Sequence, residues 1–396
     1  MTQRLVLTVL MLACLSPLSA AVPGADFFTN ESVHRFEIQL SEESLQALRE
    51  EPREYVPATV RADGQIYTNV GVHLKGVATF RPVDGQPSLT LNFSKFVANQ
   101  RFHGLRKIHL NNGKEDPTFL REAISAAMFA EAGVPTARVT LARVRMNERD
   151  LGPSVAIEGF TPEMLGRYFK DTKGNLYDSG FRQDITDPLE RLMGKKPDDW
   201  KDLKELANAA QTSGLTQRWV QLARRLDTNS FARYLAMQVL TANWDGYALF
   251  KNNYRVYHDP TSDRLHFLPH GMDQTFVRAQ SPLLPRWEGL VARAFMETRE
   301  GRALYRQQIG LLFTNVYHTA SLIRRVDELA APVQRMLAEQ SPEAAALHAS
   351  QVAELRRNIE QRGKLIAQQL TTTNWMEPPR LNRVLQKTVP VRPATR

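Results

Sequence analysis

Short strand patterns fill the first 160 residues, and they constrain the fold more than any other feature of the chain. Val33–Leu40 alternates polar and apolar residues, as a half-buried strand does. Asp63-Gly64, between two further β-type runs, is a strong signal for a two-residue hairpin turn. One helix interrupts this region, over Phe119–Ala132, with Thr118 as its expected cap. The remaining predicted strands are Val70–Lys75, Ser88–Phe93, Lys107–Leu110, Ala137–Arg145 and Ser154–Glu158.

Helical patterns dominate the rest of the chain. The polar, lysine-rich run Leu189–Trp200, which contains Gly194 and Pro197, predicts a loop or insertion. A second hairpin is expected from Tyr254–His258 and Leu265–Leu268. The predicted helices are Trp200–Ala210, Thr216–Leu226, Asn229–Ala242, Leu290–Thr298, Gly301–Asn315, Ser321–Glu339 and Glu343–Leu370. Strands first and helices afterwards predict an α+β fold.

The two ends of the chain read as segments outside the folded domain. Arg4, the apolar run 5–15 and the small residues 19–21 predict a signal peptide over residues 1–21. We therefore expect an exported protein, and no later stretch is apolar enough to predict a membrane span. The only cysteine, Cys14, lies in this leader, so the predicted mature chain cannot form a disulfide. Residues 380–396, basic and rich in proline, predict a flexible tail.

Cys14 also leaves open a lipoprotein interpretation, in which it would be the acylated residue. The bulky Leu12, two positions before it, makes the signal-peptide interpretation the better one. The formal net charge is +9, and removal of Arg4 with the leader leaves +8. Such a charge favours acidic partners such as nucleotides, anionic glycans or acidic proteins. No sequence motif points to nucleic-acid binding.

The segment from 243 to 276 carries the strongest chemical signal. Asp245 follows a predicted helix, Asn252 and Asn253 open the next strand, and Asp273 follows the hairpin after Gly271. Asparagine is a poor strand former, so two in succession suggest another role. Carboxylate and amide oxygens are the ligands that hard cations prefer, and phosphoryl transfer uses such a set. Each Asp alone could equally be an exposed turn residue.

Lys75 and Glu158 are candidate partners in the β-rich region. Each is a charged residue at the end of an apolar strand. A Lys–Glu pair that holds nucleotide phosphates is common in phosphotransferases. Either residue could instead simply reach solvent from the sheet. The chain has no P-loop, Rossmann or serine-hydrolase motif.

Several of these blocks together resemble the CotH family of spore-coat and secreted proteins, which are atypical protein kinases. The resemblance runs from about residue 33 to residue 280. It rests on Asp245, Lys251-Asn252-Asn253-Tyr254, Tyr257, Gly271-Met272-Asp273, Val70–Gly76, Ile157-Glu158-Gly159, Arg167-Tyr168-Phe169 and Lys173–Tyr177.

The resemblance implies a two-lobed atypical protein-kinase-like fold over residues 22–379. Its β-rich N-lobe would cover about 33–160 and its helical C-lobe about 161–375, with ATP and Mg²⁺ (or Mn²⁺) between them. Asp245 and Asp273 would be catalytic, and Asp273 would bind the metal with Asn252 and Asn253. Lys75, Glu158 and Asn252 would bind the cofactor.

Two departures from the family pattern separate alternative functions. Gly271 stands where many relatives have a first acid, and Gln86 stands where the family usually has a lysine, for which Lys107 or Arg81 could substitute. The expected function is transfer of the ATP γ-phosphate to a hydroxyl group, Ser or Thr, of an exported protein. The alternatives are a non-catalytic surface, coat or adhesin-like protein on the same scaffold, and a kinase of a glycan or small molecule.

Overall fold

The computed structural model describes residues 22–29, 33–194 and 199–375. The predicted signal peptide, residues 1–21, and the predicted tail, residues 380–396, lie outside these residues. Within them, no helix is long and apolar enough to cross a membrane. The chain folds into mixed α and β structure, as the order of patterns predicts.

Seven strands of the first region close into a barrel in the order β1-β2-β3-β4-β5-β7-β6. Neighbouring strands are antiparallel except β1 and β6, which are parallel and close the barrel. The strands are β1 (His34–Gln39), β2 (Val56–Ala62), β3 (Gln65–Lys75), β4 (Ser88–Asn92), β5 (Lys107–Asn111), β6 (Val139–Met146) and β7 (Arg149–Glu158). The predicted hairpin joins β2 to β3, with Asp63 and Gly64 both at positive φ, as the favoured two-residue turns require.

Three helices accompany the barrel. They are α1 (Ala25–Thr29), α2 (Glu42–Glu50) and α3 (Arg121–Glu131). The side chain of Ser41 accepts a hydrogen bond from the Ser44 amide and begins α2 as predicted. The predicted start of α3 is wrong, because Phe119 has a φ of 63°, which is not helical. Asp116, and not Thr118, accepts the hydrogen bond from the first amide of this helix, that of Arg121.

The second region contains an antiparallel four-stranded sheet with the order β11-β10-β8-β9. Its strands are β8 (Leu176–Asp178), β9 (Glu190–Met193), β10 (Tyr254–Asp259) and β11 (Arg264–Pro269). The prediction of a loop over Leu189–Trp200 is wrong for β9, which pairs with β8, and residues 195–198 lie outside the described residues. Exposed and half-buried residues alternate along β9, so its polar composition suits an edge strand.

Nine helices are described after the barrel, and all seven predicted ones are found within a few residues of their expected limits. They are α4 (Pro162–Leu165), α5 (Lys201–Gln211), α6 (Leu215–Arg225), α7 (Thr228–Leu240), α8 (Tyr247–Phe250), α9 (Leu290–Glu297), α10 (Arg299–Asn315), α11 (Thr319–Gln340) and α12 (Pro342–Thr372).

Buried apolar residues form two clusters. One fills the barrel and includes Phe36, Val72 and Leu91. The other unites the helices, the four-stranded sheet and the outward faces of β6 and β7, and includes Phe129. Two cores are compatible with two lobes, but the division into lobes stays a prediction.

Arg362 ties the long helix α12 to the segments that carry the site. This arginine is fully buried, and its guanidinium donates hydrogen bonds to four backbone carbonyls. The acceptors are Val239 and Leu240 at the end of α7, and Ala279 and Ser281 after β11. Since Asp245 follows α7 and Asp273 follows β11, one side chain braces both segments that carry the predicted catalytic acids.

Candidate active site

The outer face of three barrel strands is polar along its length. Alternation places Val72, Leu91 and Ile108 inside the barrel and the residues between them outside. In the observed register Lys75 pairs with Ser88, and Thr90 pairs with His109. The outer face therefore presents Lys75 and His73 on β3, Ser88, Thr90 and Asn92 on β4, and Lys107, His109 and Asn111 on β5.

Lys75 is linked through an amide to a glutamate on α3. Its Nζ donates to Asn111 Oδ1 at 2.5 Å, and Asn111 Nδ2 lies 3.4 Å from Glu122 Oε2. The other carboxylate oxygen, Glu122 Oε1, accepts from the Met272 amide at 3.3 Å. Burial lowers the pKa of Lys75, and the Glu122 carboxylate opposes this shift. The chain Lys75–Asn111–Glu122–Met272 thus connects the barrel directly to the turn that carries Asp273.

Glu158 does not pair with Lys75, so this predicted pair is wrong. The Glu158 side chain is fully buried and accepts hydrogen bonds from Arg138 at 2.7 Å and Arg167 at 2.6 Å. These two guanidinium groups neutralise the Glu158 carboxylate at the C-terminal end of β7. Glu158 therefore has the environment of a structural ion pair.

Glu122 is the glutamate that sequence reasoning missed. It is 3% exposed on a helix whose buried residues also include Ala126 and Phe129, four and seven positions further on. A charged residue on the apolar stripe of a helix is rare unless it has a partner. The position of Glu122 on this apolar stripe was therefore the sequence signal that could have identified it as a residue with a buried partner.

Asp245 lies between α7 and α8 and is held by both predicted asparagines. Asn253 Nδ2 donates to its carboxylate at 2.6 Å and Asn252 Nδ2 at 3.2 Å. Asn253 has a φ of 52°, a left-handed conformation that asparagine tolerates well. Burial raises the pKa of Asp245, and the two amide hydrogen bonds oppose the shift. The amide nitrogens are thus committed to Asp245, and the amide oxygens are what either asparagine could offer a metal.

Gly271 is required by the local geometry. Its φ is +56°, and a Cβ at this position would lie 2.9 Å from Asn253 Oδ1. An aspartate here, as many relatives have, would push against the amide that holds Asp245. Glycine at position 271 is therefore consistent with the close position of the Asn253 side chain.

Asp273 lies among other acidic side chains. Burial, followed by the negative charges of Glu122, Asp116, Asp245 and Glu115, raises the pKa of Asp273 to about 8. Within the described residues Asp273 accepts no hydrogen bond. An underneutralised carboxylate among other acids is a suitable ligand for a divalent cation.

The described residues contain no group of three or more His, Asp or Glu placed to hold a metal ion. Mg²⁺ commonly takes only one or two protein carboxylates and completes its shell with waters and substrate phosphates. Asp273, together with the side-chain oxygen of Asn252 or Asn253, fits that mode of binding. The donor set is therefore suited to a nucleotide-bound Mg²⁺ or Mn²⁺.

One arginine of the four-stranded sheet lies near the two lysines of the polar strands. Arg255 on β10 is 6% exposed, lies 4.0 Å from the Phe160 ring centroid and forms an ion pair with Asp178 at 2.8 Å. Its positive charge lowers the pKa values of both Lys75 and Lys107, after burial, so Arg255 acts on both lysines. Arg255, Lys75 and Lys107 thus form a group of three cations, with Asp178 and Glu122 as neighbouring acids, and such a cluster of positive charge can attract phosphate.

The two histidines in this region are kept neutral. Burial, together with the positive charge of Arg255, lowers the pKa of His270 to about 3. Burial and the charge of Lys75 place the pKa of His109 well below its usual range. Neither imidazole adds positive charge at neutral pH, so Lys75, Lys107 and Arg255 are the cations available to a bound phosphate.

Comparison with known proteins places the chain in a family. The family model described as CotH kinase protein matches residues 72–366, well over half of the chain. Inner spore coat protein H of Bacillus subtilis (strain 168) is 26% identical over 197 residues, which cover 46% of this chain and 53% of that protein. Invasin CotH2 of Rhizopus delemar is 26% identical over 208 residues, which cover 47% of this chain and 34% of that protein. The chain thus matches about half or less of the length of these relatives.

Among solved structures, the proinflammatory kinase CtkA of Helicobacter pylori covers 71% of this chain and 94% of its own, at 9% identity and a TM-score of 0.35. A likeness at this level is too low to establish a shared fold. The family match, together with the ordered blocks around Lys75, Asp245 and Asp273, is what identifies the protein. The chain belongs to the CotH kinase protein family.

Proposed function

We propose that this protein is an exported ATP-dependent kinase that transfers the γ-phosphate to a serine or threonine hydroxyl of a protein acceptor. The observation that carries the proposal is the connection of Lys75, through Asn111 and Glu122, to the turn of Asp273. In this proposal Lys75 would hold a phosphate and Asp273 a metal ion close to each other, which phosphoryl transfer requires. The family match supports the same chemistry.

The nucleotide phosphates would lie against the group formed by Lys75, Lys107 and Arg255, which we call the cationic wall. Lys75, Lys107 and Arg255 would supply positive charge there, in a chain that has Gln86 where the family usually has a lysine. Gln86 instead donates to the Leu151 carbonyl at 2.8 Å. Glu122 orients Lys75, the role that sequence reasoning gave to Glu158. A bound divalent cation would neutralise charge on the transferred phosphoryl group.

Asp245 would act on the acceptor. Its raised pKa makes it a stronger base than an exposed aspartate, and Asn252 and Asn253 hold it in one orientation. The acceptor oxygen forms a bond to the γ-phosphorus while the bond from that phosphorus to the β-bridging oxygen breaks and ADP leaves. The hydroxyl proton passes to Asp245.

Export is part of the proposal. The leader predicted over residues 1–21 supports it, and so do relatives named as a spore coat protein and an invasin. In this view the folded domain, with its two predicted lobes, acts outside the cytoplasm.

The test is metal-dependent labelling by the chain from Val22 onward, with γ-labelled ATP and Mg²⁺ or Mn²⁺. Asp273→Ala and Asp245→Asn should each abolish labelling. Asp263→Asn is the matched control, because Asp263 lies in the β10–β11 turn with a φ of 52°, which asparagine tolerates. Labelling that persists in both site variants would refute the proposal.

The second candidate is a non-catalytic surface or adhesin-like protein on the same scaffold. Gln86 favours it, because the family lysine at this position is absent and the glutamine bonds to backbone. A ligand that binds only the folded state raises the melting temperature. No shift with Mg·ATP would support this candidate, whereas a shift without transfer to protein would direct attention to a glycan or small-molecule acceptor.

A further inference from the structure

An open groove lies near the acids Asp116, Glu122 and Asp273, between the loop after β5 and the helices α11 and α12. Its volume is about 310 Å³. The loop residues Lys114, Pro117 and Phe119 form one side, and Leu337 of α11 and Leu347 of α12 form the other. Arg81, from the loop between β3 and β4, lies at its edge.

The groove continues towards Asp273. Asn112, Gly113 and Lys114 line both the groove and a smaller inner cavity, and the inner cavity is also lined by Asp273 and Glu122. A molecule in the groove therefore has a path to the proposed metal-binding acid.

The walls of this path are rigidly built. Asn112 Nδ2 donates to the carbonyls of Thr79 at 3.2 Å and Gln86 at 2.9 Å, which joins the β3–β4 loop to the β5 end. Gly113 has a φ of +65°, and a Cβ there would lie 2.2 Å from the Phe119 ring. The groove is thus a formed feature of the fold.

Its chemistry is cationic at one edge and apolar at the other. Neither Arg81 nor Lys114 has an ion-pair partner within the part of the chain that the structure describes. Leu347 is 59% exposed, an unusual exposure for a leucine on a packed helix. The matching ligand is an extended segment that carries both carboxylates and an apolar side chain. A nucleic acid would satisfy the cations and leave the leucines uncovered.

Glu115, in the loop that forms the groove, acts electrostatically on both proposed catalytic acids. The charge of Glu115 raises the pKa values of both Asp245 and Asp273, after burial in each case. Gln274, the neighbour of Asp273, donates to the Glu115 carbonyl at 2.8 Å. A segment bound beside Lys114 therefore lies close to the place where a hydroxyl must meet Asp245.

We propose that this groove binds the acceptor, as a peptide segment with acidic residues against Arg81 and Lys114 and an apolar residue against Leu347. This inference rests on the proposed kinase function.

The test uses two fluorescent peptides with one serine each and with leucine and either glutamates or lysines beside it. Their binding is measured by anisotropy without ATP, and their phosphorylation with Mg·ATP. The variant is R81E/K114E, and L347S tests the apolar side. The control is Lys364→Glu, an exposed position 17 residues beyond Leu347 on α12, about 25 Å away at 1.5 Å per residue.

The parent and the control should bind the acidic peptide at least tenfold more tightly than the basic one. R81E/K114E should lose that preference, and L347S should weaken both peptides, while Mg·ATP still raises the melting temperature of each variant as in the parent. Equal binding of the two peptides by the parent, or loss of the Mg·ATP shift in R81E/K114E, would overturn the inference. Selective peptide binding without phosphorylation would leave the groove assigned and refute only the kinase function.

Discussion

Asp273→Asn tests the charge state on which the metal-site argument depends. The carboxyl of Asp273 has a pKa of about 8 in the folded protein, because of burial and the surrounding acids. An unfolded aspartate has a pKa of about 3.9. Between these values the folded state holds one more proton than the unfolded state, so stability must fall as pH rises. Asparagine has no such proton.

The expected size follows from this difference. One proton contributes about 1.4 kcal/mol per pH unit to the free energy of unfolding. Between pH 5 and pH 7, inside the window set by the pKa, the variant should therefore gain about 3 kcal/mol over the parent. The gain should level off above about pH 8, where Asp273 is ionised in both states.

The assay is urea unfolding of both proteins at pH 5, 6 and 7, without divalent ions. Saturating Mg·ATP should stabilise the parent and not the variant, which would reduce the difference. A difference between the two proteins that does not change with pH would show that Asp273 is already ionised in the metal-free protein. In that case the argument from crowded acids fails.

Three further predictions concern the neighbouring residues. Glu122→Gln should lower kcat/KM for ATP at least tenfold with a small change in melting temperature, because it weakens the orientation of Lys75; unchanged kinetics would contradict the role of Glu122. Glu158→Gln should instead destabilise the fold by about 3–5 kcal/mol in urea unfolding, since it leaves Arg138 and Arg167 without a buried counter-charge. Gly271→Asp should lower stability by about 1–3 kcal/mol, because the left-handed backbone and the 2.9 Å approach of a Cβ to Asn253 both oppose it. Gly271→Asn carries the same Cβ without the charge, so the difference between the two variants gives the part of the loss that is due to charge. Thermal unfolding of Gly271→Asp that matches the parent would show that the turn can relax.

Local patterns predicted most of the strands and helices. The Asp63-Gly64 hairpin, the Ser41 cap and the helices α5 to α7 and α9 to α12 follow from turn chemistry, capping and periodicity, which act between residues close in sequence. The start of α3 was predicted wrongly because two neighbouring residues could each have begun the helix, and the sequence does not show which one does. Phe119 fits a helical pattern, yet Asp116 binds the first helical amide and leaves Phe119 outside.

The pairing of charges could not be predicted in the same way. Lys75, Glu122 and Glu158 are each a charged residue in an apolar run, and nothing in one sequence tells which of them meet. The strand order β3-β4-β5 places Asn111 near Lys75, and Asn111 in turn contacts Glu122 of α3. The antiparallel pairing of β6 with β7 places Glu158 beside Arg138, and Arg167 reaches the same carboxylate.

The sequence alone determined the α+β class, the family resemblance and the acids Asp245 and Asp273, because these depend on residue type and order along the chain. Only the tertiary structure decided that Glu122 is the partner of Lys75, that Arg255 joins the cationic wall, and that a groove leads to Asp273. Those features depend on distances between residues far apart in sequence. Such distances are set by how sheets and helices pack, and a linear pattern does not contain them.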